Sequence, residues 1–98
     1  MVSRAPFGDN EGVDLRQLEL FCAVVDQGGF SQAGRLLGLS QPSVSFRITS
    51  LERELGVRLL DRRKREVSLT AQGEVFYRYA RRMLELAREA REALGEVE

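Results

Sequence analysis

Between Phe30 and Thr49 the chain passes from one short helix to another with almost no room between them. Ser31 is placed to cap a helix carrying Ala33, Leu36 and Leu37, and Gly38 is placed to stop it. Leu39 then precedes Ser40, a second N-cap, and can staple to Val44. Pro42 falls in the first turn of the new helix, where its missing N–H costs nothing. Ala33 and Gly34 are small enough to let another helix cross closely. Two helices this close, the second opening on Ser40-Gln-Pro42 with small polar residues on its free face, form the turn that offers a helix end to the major groove of DNA.

The rest of the chain supplies the frame. Residues 1–12 have Pro, Gly, Asn and charges without periodicity, and are read as a flexible tail. A first helix is expected from Leu15 to Gln27: Asp14 caps it, Gln17 completes a capping box, and Gly28-Gly29 ends it. Leu15, Leu18, Cys22 and Val25 repeat at helical spacing, with Phe21 beside them. The third helix should run from Gln41 to Leu55, burying Val44, Ile48, Leu51 and Leu55. Val57–Leu60 and Val67–Leu69 then read as the strands of a short β-hairpin, or wing. Thr70 caps a long helix from Ala71 to Leu94, whose Phe76, Ala80, Met83, Ala87, Ala90 and Leu94 recur at 4-3-4-3-4 spacing, the seam of a helix pair. Tyr79, Leu86 and Ala93 form a second row. At 1.5 Å per residue this helix is about 36 Å long, more than a small domain can cover, so its far half favours a partner. The expected fold is mainly α: a winged helix-turn-helix over 13–69, followed by a dimerising linker helix over 70–98.

Composition removes whole classes of activity. The 98 residues contain no histidine and one cysteine, Cys22, so no serine–histidine or cysteine–histidine mechanism and no disulfide can be assembled. No pair of acids stands out from the solvated helix faces, and the chain is read as a non-enzyme that needs no metal and no cofactor. No apolar run approaches a membrane span, and a cytoplasmic location is expected. Formal net charge is zero, but it is unevenly spread. Ser40 to Arg82 holds ten basic and five acidic residues, and the remainder reverses those counts. A polyanion would feel the local basic block.

Candidate DNA contacts follow from side-chain chemistry. Gln41 can pair with an adenine edge, and Arg47 with guanine O6 and N7 or with a phosphate. Ser43, Ser45 and Ser50 are short enough to let the helix sit deep, and Phe46 can meet a thymine methyl. Ser31, at the start of the second helix, is placed with this set. Arg62, Arg63, Lys64 and Arg65 form a basic hairpin tip that can enter a minor groove or clamp phosphates.

These residues resemble the N-terminal DNA-binding domain of LysR-type transcriptional regulators. The resemblance runs through Leu15-Arg-Gln-Leu18, Phe21, Gly29-Phe-Ser31, Ala33, Leu36, Ser40-Gln-Pro-Ser-Val-Ser45, Ile48, Leu51-Glu52, Leu55-Gly-Val-Arg-Leu59, Arg62, Leu69-Thr70 and Gly73. It implies base and phosphate contacts from Gln41, Pro42, Ser45, Phe46 and Arg47, backbone contacts from the wing at Arg62 to Arg65, a linker helix that pairs antiparallel with its mate, and a partly palindromic operator bound by a homodimer. Assembly beyond the dimer stays open. Phe46 departs from the family's usual basic or polar side chain, and Gly34 from its second alanine. The family's effector-binding domain has no counterpart in these residues, so no small-molecule effector is assigned to them. Two other readings stay open on sequence: a protein-interaction module built on the long helix, and a winged-helix domain resembling the molybdate-responsive regulators.

Overall fold

The computed structural model describes residues 13–63 and 66–97. The elements are α1 (Leu15–Gln27), α2 (Phe30–Leu37), α3 (Gln41–Leu55), β1 (Leu60–Asp61), β2 (Ser68–Leu69) and α4 (Ala71–Gly95). Three short helices enclose the core, the two strands pair as a wing, and α4 packs across α1 before running outward. This is a winged helix-turn-helix with a long C-terminal helix.

Local chemistry sets each helix end. The Gln17 N–H donates to Asp14 Oδ1 at 3.0 Å and the Asp14 N–H donates to Gln17 Oε1 at 3.1 Å, so the capping box is complete. Ser40 Oγ accepts from the Ser43 N–H, and Thr70 Oγ1 from the Gly73 N–H. The cap of α2 differs from expectation. Helix begins at Phe30, with Gly29 as N-cap and Ser31 already inside the first turn. The reason is that the Gly29 carbonyl accepts the Ala33 N–H at 3.2 Å, starting the helical ladder one residue early.

The turn between α2 and α3 depends on two glycines. Gly38 takes φ 75°, a left-handed conformation that side chains resist. The Leu39 N–H then returns to the Gly34 carbonyl at 2.8 Å, which folds the Leu39 backbone directly over Gly34. A Cβ at Gly34 would collide with the Leu39 carbonyl oxygen. The departure at Gly34 therefore coincides with a close backbone approach, which offsets its helix-propensity cost of about 1 kcal/mol.

The core is continuous. Phe21, Val24, Val44, Ile48, Leu51, Leu59 and Leu60 are all fully enclosed, each contributing roughly 1.5–3 kcal/mol by leaving water. The Phe21 ring packs at a tilt against Phe76, centroids 5.5 Å apart, and edge-on to Tyr77 at 6.3 Å. Tyr77 donates its hydroxyl to Asp26 Oδ1, and Arg81 reaches Asp26 Oδ2 at 3.1 Å. These contacts fasten the first half of α4 to the C-terminal turn of α1.

The strands are shorter than expected, two residues each, with Leu60 opposite Leu69 and Asp61 opposite Ser68. Val57 and Leu59 lie outside the two-residue ladder: their N–H groups go to the Glu52 carbonyl and the Glu52 carboxylate respectively, and the Leu59 carbonyl accepts the Thr70 N–H. The long helix also differs from expectation in its rotation. Ala80 is fully buried within this chain's own core, and Phe76 is half-buried against Phe21. The expected two-faced helix is present, but the core takes the first half of the predicted seam because Phe21 needs a neighbour there. Val75, Tyr79 and Leu86 are left exposed instead.

Cys22 and Tyr77 give this packing a measurable alkaline limit. Burial pushes the Cys22 thiol up to about 11, and the hydrogen bond to Asp26 raises the Tyr77 phenol above its usual value. Both groups bind their protons more tightly when folded. Their stabilisation is therefore complete below the unfolded values, near 9 and 10, and is lost as pH rises through the folded ones. Urea unfolding should show stability falling above pH 9, with Tyr77→Phe removing part of that slope, and Cys22 should resist thiol reagents until the chain unfolds.

Candidate nucleic-acid interface

α3 presents its expected polar face. Gln41, Pro42, Phe46 and Arg47 are exposed, while Ser43, Ser45, Thr49 and Ser50 are half-covered along its flanks. Phe46 leaves 69% of its surface open, unusual for a side chain of its size with no apolar neighbour covering it. Ser43 does double duty at the helix start, since Ser40 Oγ donates to Ser43 Oγ at 3.0 Å. On the α1 side, Gln17 joins Pro42, Ser43, Phe46, Arg47 and Ser50 around a shallow hollow. The first turn of α1 thus borders the exposed face of α3. Ser31 is exposed in the first turn of α2, outside that hollow.

The wing sits on the other side of α3, and a buried carboxylate holds it there. Glu52 is 5% exposed. Its Oε2 accepts the Leu59 and Leu60 N–H groups at 2.8 and 3.1 Å. Its Oε1 accepts Arg62 Nη2 at 3.3 Å and has Arg58 Nε at 3.7 Å. The Arg62 guanidinium also lies over the Phe30 ring, 5.3 Å from its centroid, a cation–π contact. One arginine therefore ties α2, α3 and the wing root together. Sequence reasoning grouped Arg62 with the free basic tip. The structure places it at the wing root: the side chain is 28% exposed and donates from Nη2 to Glu52 inside the protein. Its Nε is buried without a partner among the described residues. The available signal was Leu51-Glu52, read only as a family marker and as one of the five acids between Ser40 and Arg82.

Arg63 is different. Its side chain is 87% exposed and grips Asp61 twice, Nε to Oδ1 at 2.9 Å and Nη2 to Oδ2 at 2.8 Å. That pairing raises the guanidinium's pKa further, and the site is fully solvated. Arg63 can exchange Asp61 for a phosphate at little cost, because an exposed ion pair contributes little. Lys64 and Arg65 lie outside the described residues. Thr70 closes the wing from below: its hydroxyl donates to the Arg58 carbonyl at 2.6 Å and its N–H to the Leu59 carbonyl at 3.0 Å. A Cβ on Gly73 would strike that same Leu59 carbonyl, so α4 starts directly against the strand.

Among the described residues no cluster of His, Cys, Asp and Glu could hold a metal ion, and no helix is long and apolar enough to cross a membrane.

The geometry defines a helix-turn-helix whose second helix is flanked by a wing. The sequence profile of the bacterial regulatory helix-turn-helix proteins of the lysR family matches residues 15–74. The chain belongs to that family. The SDS degradation transcriptional activation protein of Pseudomonas sp. (strain ATCC 19151) is 46% identical over 85 residues, 87% of this chain and 28% of the relative. The chain therefore spans little more than a quarter of that relative's length. Among solved structures, the BenM_DBD/benA site 1 DNA complex superposes with TM-score 0.83 at 37% identity, covering 85% of this chain and 93% of that one. The CbnR_DBD–DNA complex gives TM-score 0.78 at 41% identity, covering 83% and 93%.

Replacing Glu52 with Ala should cost about 3–5 kcal/mol in urea unfolding, since it strands two backbone N–H groups and a buried guanidinium. Arg62→Ala should cost about 1–3 kcal/mol, and Arg63→Ala should leave the midpoint where it is.

Proposed function

We propose that these residues read duplex DNA for a transcriptional regulator, as a homodimer on a partly palindromic operator, in the cytoplasm and without enzymatic activity. One observation carries this reading: the N-terminal half of α3 is an exposed, short-side-chained face ending in Gln41 and Arg47, flanked by an arginine-bearing wing. The likeness to the two DNA-bound domains supports it. α3 would enter a major groove by its first turns, where backbone N–H groups and the helix dipole favour phosphate. Gln41, Arg47 and Phe46 would then face base edges, with Pro42, Ser43, Ser45 and Ser50 permitting the close approach. The wing, through Arg63 together with Lys64 and Arg65, would follow the backbone or the minor groove. Ser31 would contact the backbone from α2.

α4 supports the dimer. Met83 and Leu84 are its last side chains packed on the core; beyond them Leu86 and Leu94 lie open. Near its start, Leu55, Val57, Leu59, Val75, Phe76, Tyr79 and Met83 line an apolar groove of about 530 Å³. Charge also favours an antiparallel mate. Residues 71–83 carry Glu74 against Arg78, Arg81 and Arg82, and residues 84–97 carry Arg88 and Arg91 against Glu85, Glu89, Glu92 and Glu96. Net +2 then faces net −2. With Ala80 committed inward, the pairing surface becomes Val75, Tyr79, Met83, Leu86, Ala87, Ala90 and Leu94.

Selection of bound sites from random duplexes tests specificity, symmetry and half-site spacing together; recovery of no enriched sequence would sink the reading. Gln41→Ala and Arg47→Ala should each weaken binding to the selected site by about 1–3 kcal/mol and relax one position, as read by anisotropy titration. Leu86→Glu should yield monomers by light scattering, while the same change at Arg88 should leave the mass unaltered.

A further inference from the structure

A cleft of about 550 Å³ runs between the second half of α3 and the wing root, lined by Thr49, Glu52, Arg53, Gly56, Val57, Arg58 and Arg62. Three guanidinium groups share it with one carboxylate. That carboxylate is already engaged, since Glu52 accepts two backbone N–H groups and Arg62. Arg58 stands 3.7 Å from Glu52 Oε1, outside hydrogen-bond range, with 67% of its side chain open to solvent. Arg53 is exposed and makes no ion pair among the described residues. The cleft thus has a fixed, neutralised floor formed by Glu52 and Arg62, and two uncommitted cations on its walls.

Its place between α3 and the wing gives those cations an occupant. A helix in a major groove and a wing in the adjacent minor groove stand on either side of one sugar–phosphate strand. The space between them faces that strand. We propose that this cleft is a saddle for the DNA backbone, in which Arg53 and Arg58 each hold a phosphate, Thr49 offers its hydroxyl beside them, and Arg62 positions the wing instead of touching DNA. The proposal rests on the DNA-reading function above. It adds contacts that carry affinity and register but no base preference. The contacts of Glu52 explain why Arg58 suits the role. Its guanidinium leaves only a loose contact with Glu52, whose other partners remain in place when it turns outward.

The test uses the full chain and two fluorescein-labelled duplexes, one of arbitrary sequence and one carrying the site recovered by selection. Anisotropy titrations between about 50 and 200 mM salt give the slope of log K against log salt. Arg53→Gln and Arg58→Gln should each lower that slope by about 0.9 on both duplexes, with the ratio of specific to non-specific affinity unchanged. Arg53→Lys and Arg58→Lys should keep it, and Arg88→Gln, far out on α4, should not alter it. A scan of single methylphosphonates along the wild-type complex should find phosphates whose neutralisation weakens the wild type but not Arg58→Gln. Unchanged slopes in both glutamine variants, alongside steep wild-type binding, would overturn the saddle while leaving the DNA-reading function standing. Wild-type failure to bind either duplex would overturn both.

Discussion

The Glu52 carboxylate fixes the one relationship on which the rest of the molecule depends, the angle between α3 and the wing. A recognition helix and a wing can act together only if they are held at a constant distance. Two-residue strands are too short to do this by themselves. Glu52 supplies the missing constraint by taking the Leu59 and Leu60 N–H groups where the chain leaves α3. A buried carboxylate is tolerable only when its lone pairs are filled, and here two amides and Arg62 fill them. Thr70 and Gly73 complete the arrangement from the other strand. One caps α4 and bonds the Arg58 carbonyl; the other lets the α4 backbone reach the Leu59 carbonyl.

That constraint divides the arginines into kinds that composition cannot separate. Arg62 is internal structure, Arg63 is paired with Asp61 at the surface, Arg81 anchors α4 to α1 through Asp26, and Arg53, Arg47 and Arg58 present charge to solvent. The last group can meet a polyanion without giving up an internal bond, and Arg63 can do so by releasing only a weak, exposed pair. A basic block on paper is therefore a smaller, better-placed set in space. The acidic complement is placed as usefully. Glu85, Glu89, Glu92 and Glu96 lie on the far half of α4, where they can meet a mate's basic near half and stay clear of the α3 face.

Much of the fold was legible because its signals are local. Asp14, Ser40 and Thr70 cap the helices they were expected to cap, and α1 and α3 begin and end at the expected residues. A cap is a contact among residues three apart, and apolar spacing needs only the helical period. The misreadings share the opposite character. Ser31 lost its cap to a neighbouring glycine carbonyl. Before the short β1, the Val57 and Leu59 N–H groups go to the carbonyl and the carboxylate of Glu52, which lies in α3. Phe76 turned inward because Phe21, far away in sequence, lies against it, and Ala80 is enclosed one turn further on. The position of Arg62 was not legible because its partners, Glu52 and Phe30, belong to two helices distant in sequence.

The amino-acid sequence by itself determined the helices, the turn between α2 and α3, the polar character of the α3 face and the family. Each of these follows from short-range spacing or from the identity of residues in register. Tertiary structure alone decided which arginines are free, which stripe of α4 is open, and that a cleft with two uncommitted cations lies beside the recognition helix. Those properties depend on which charges and rings are brought within a few ångströms by packing, and separation along the chain carries no information about that distance.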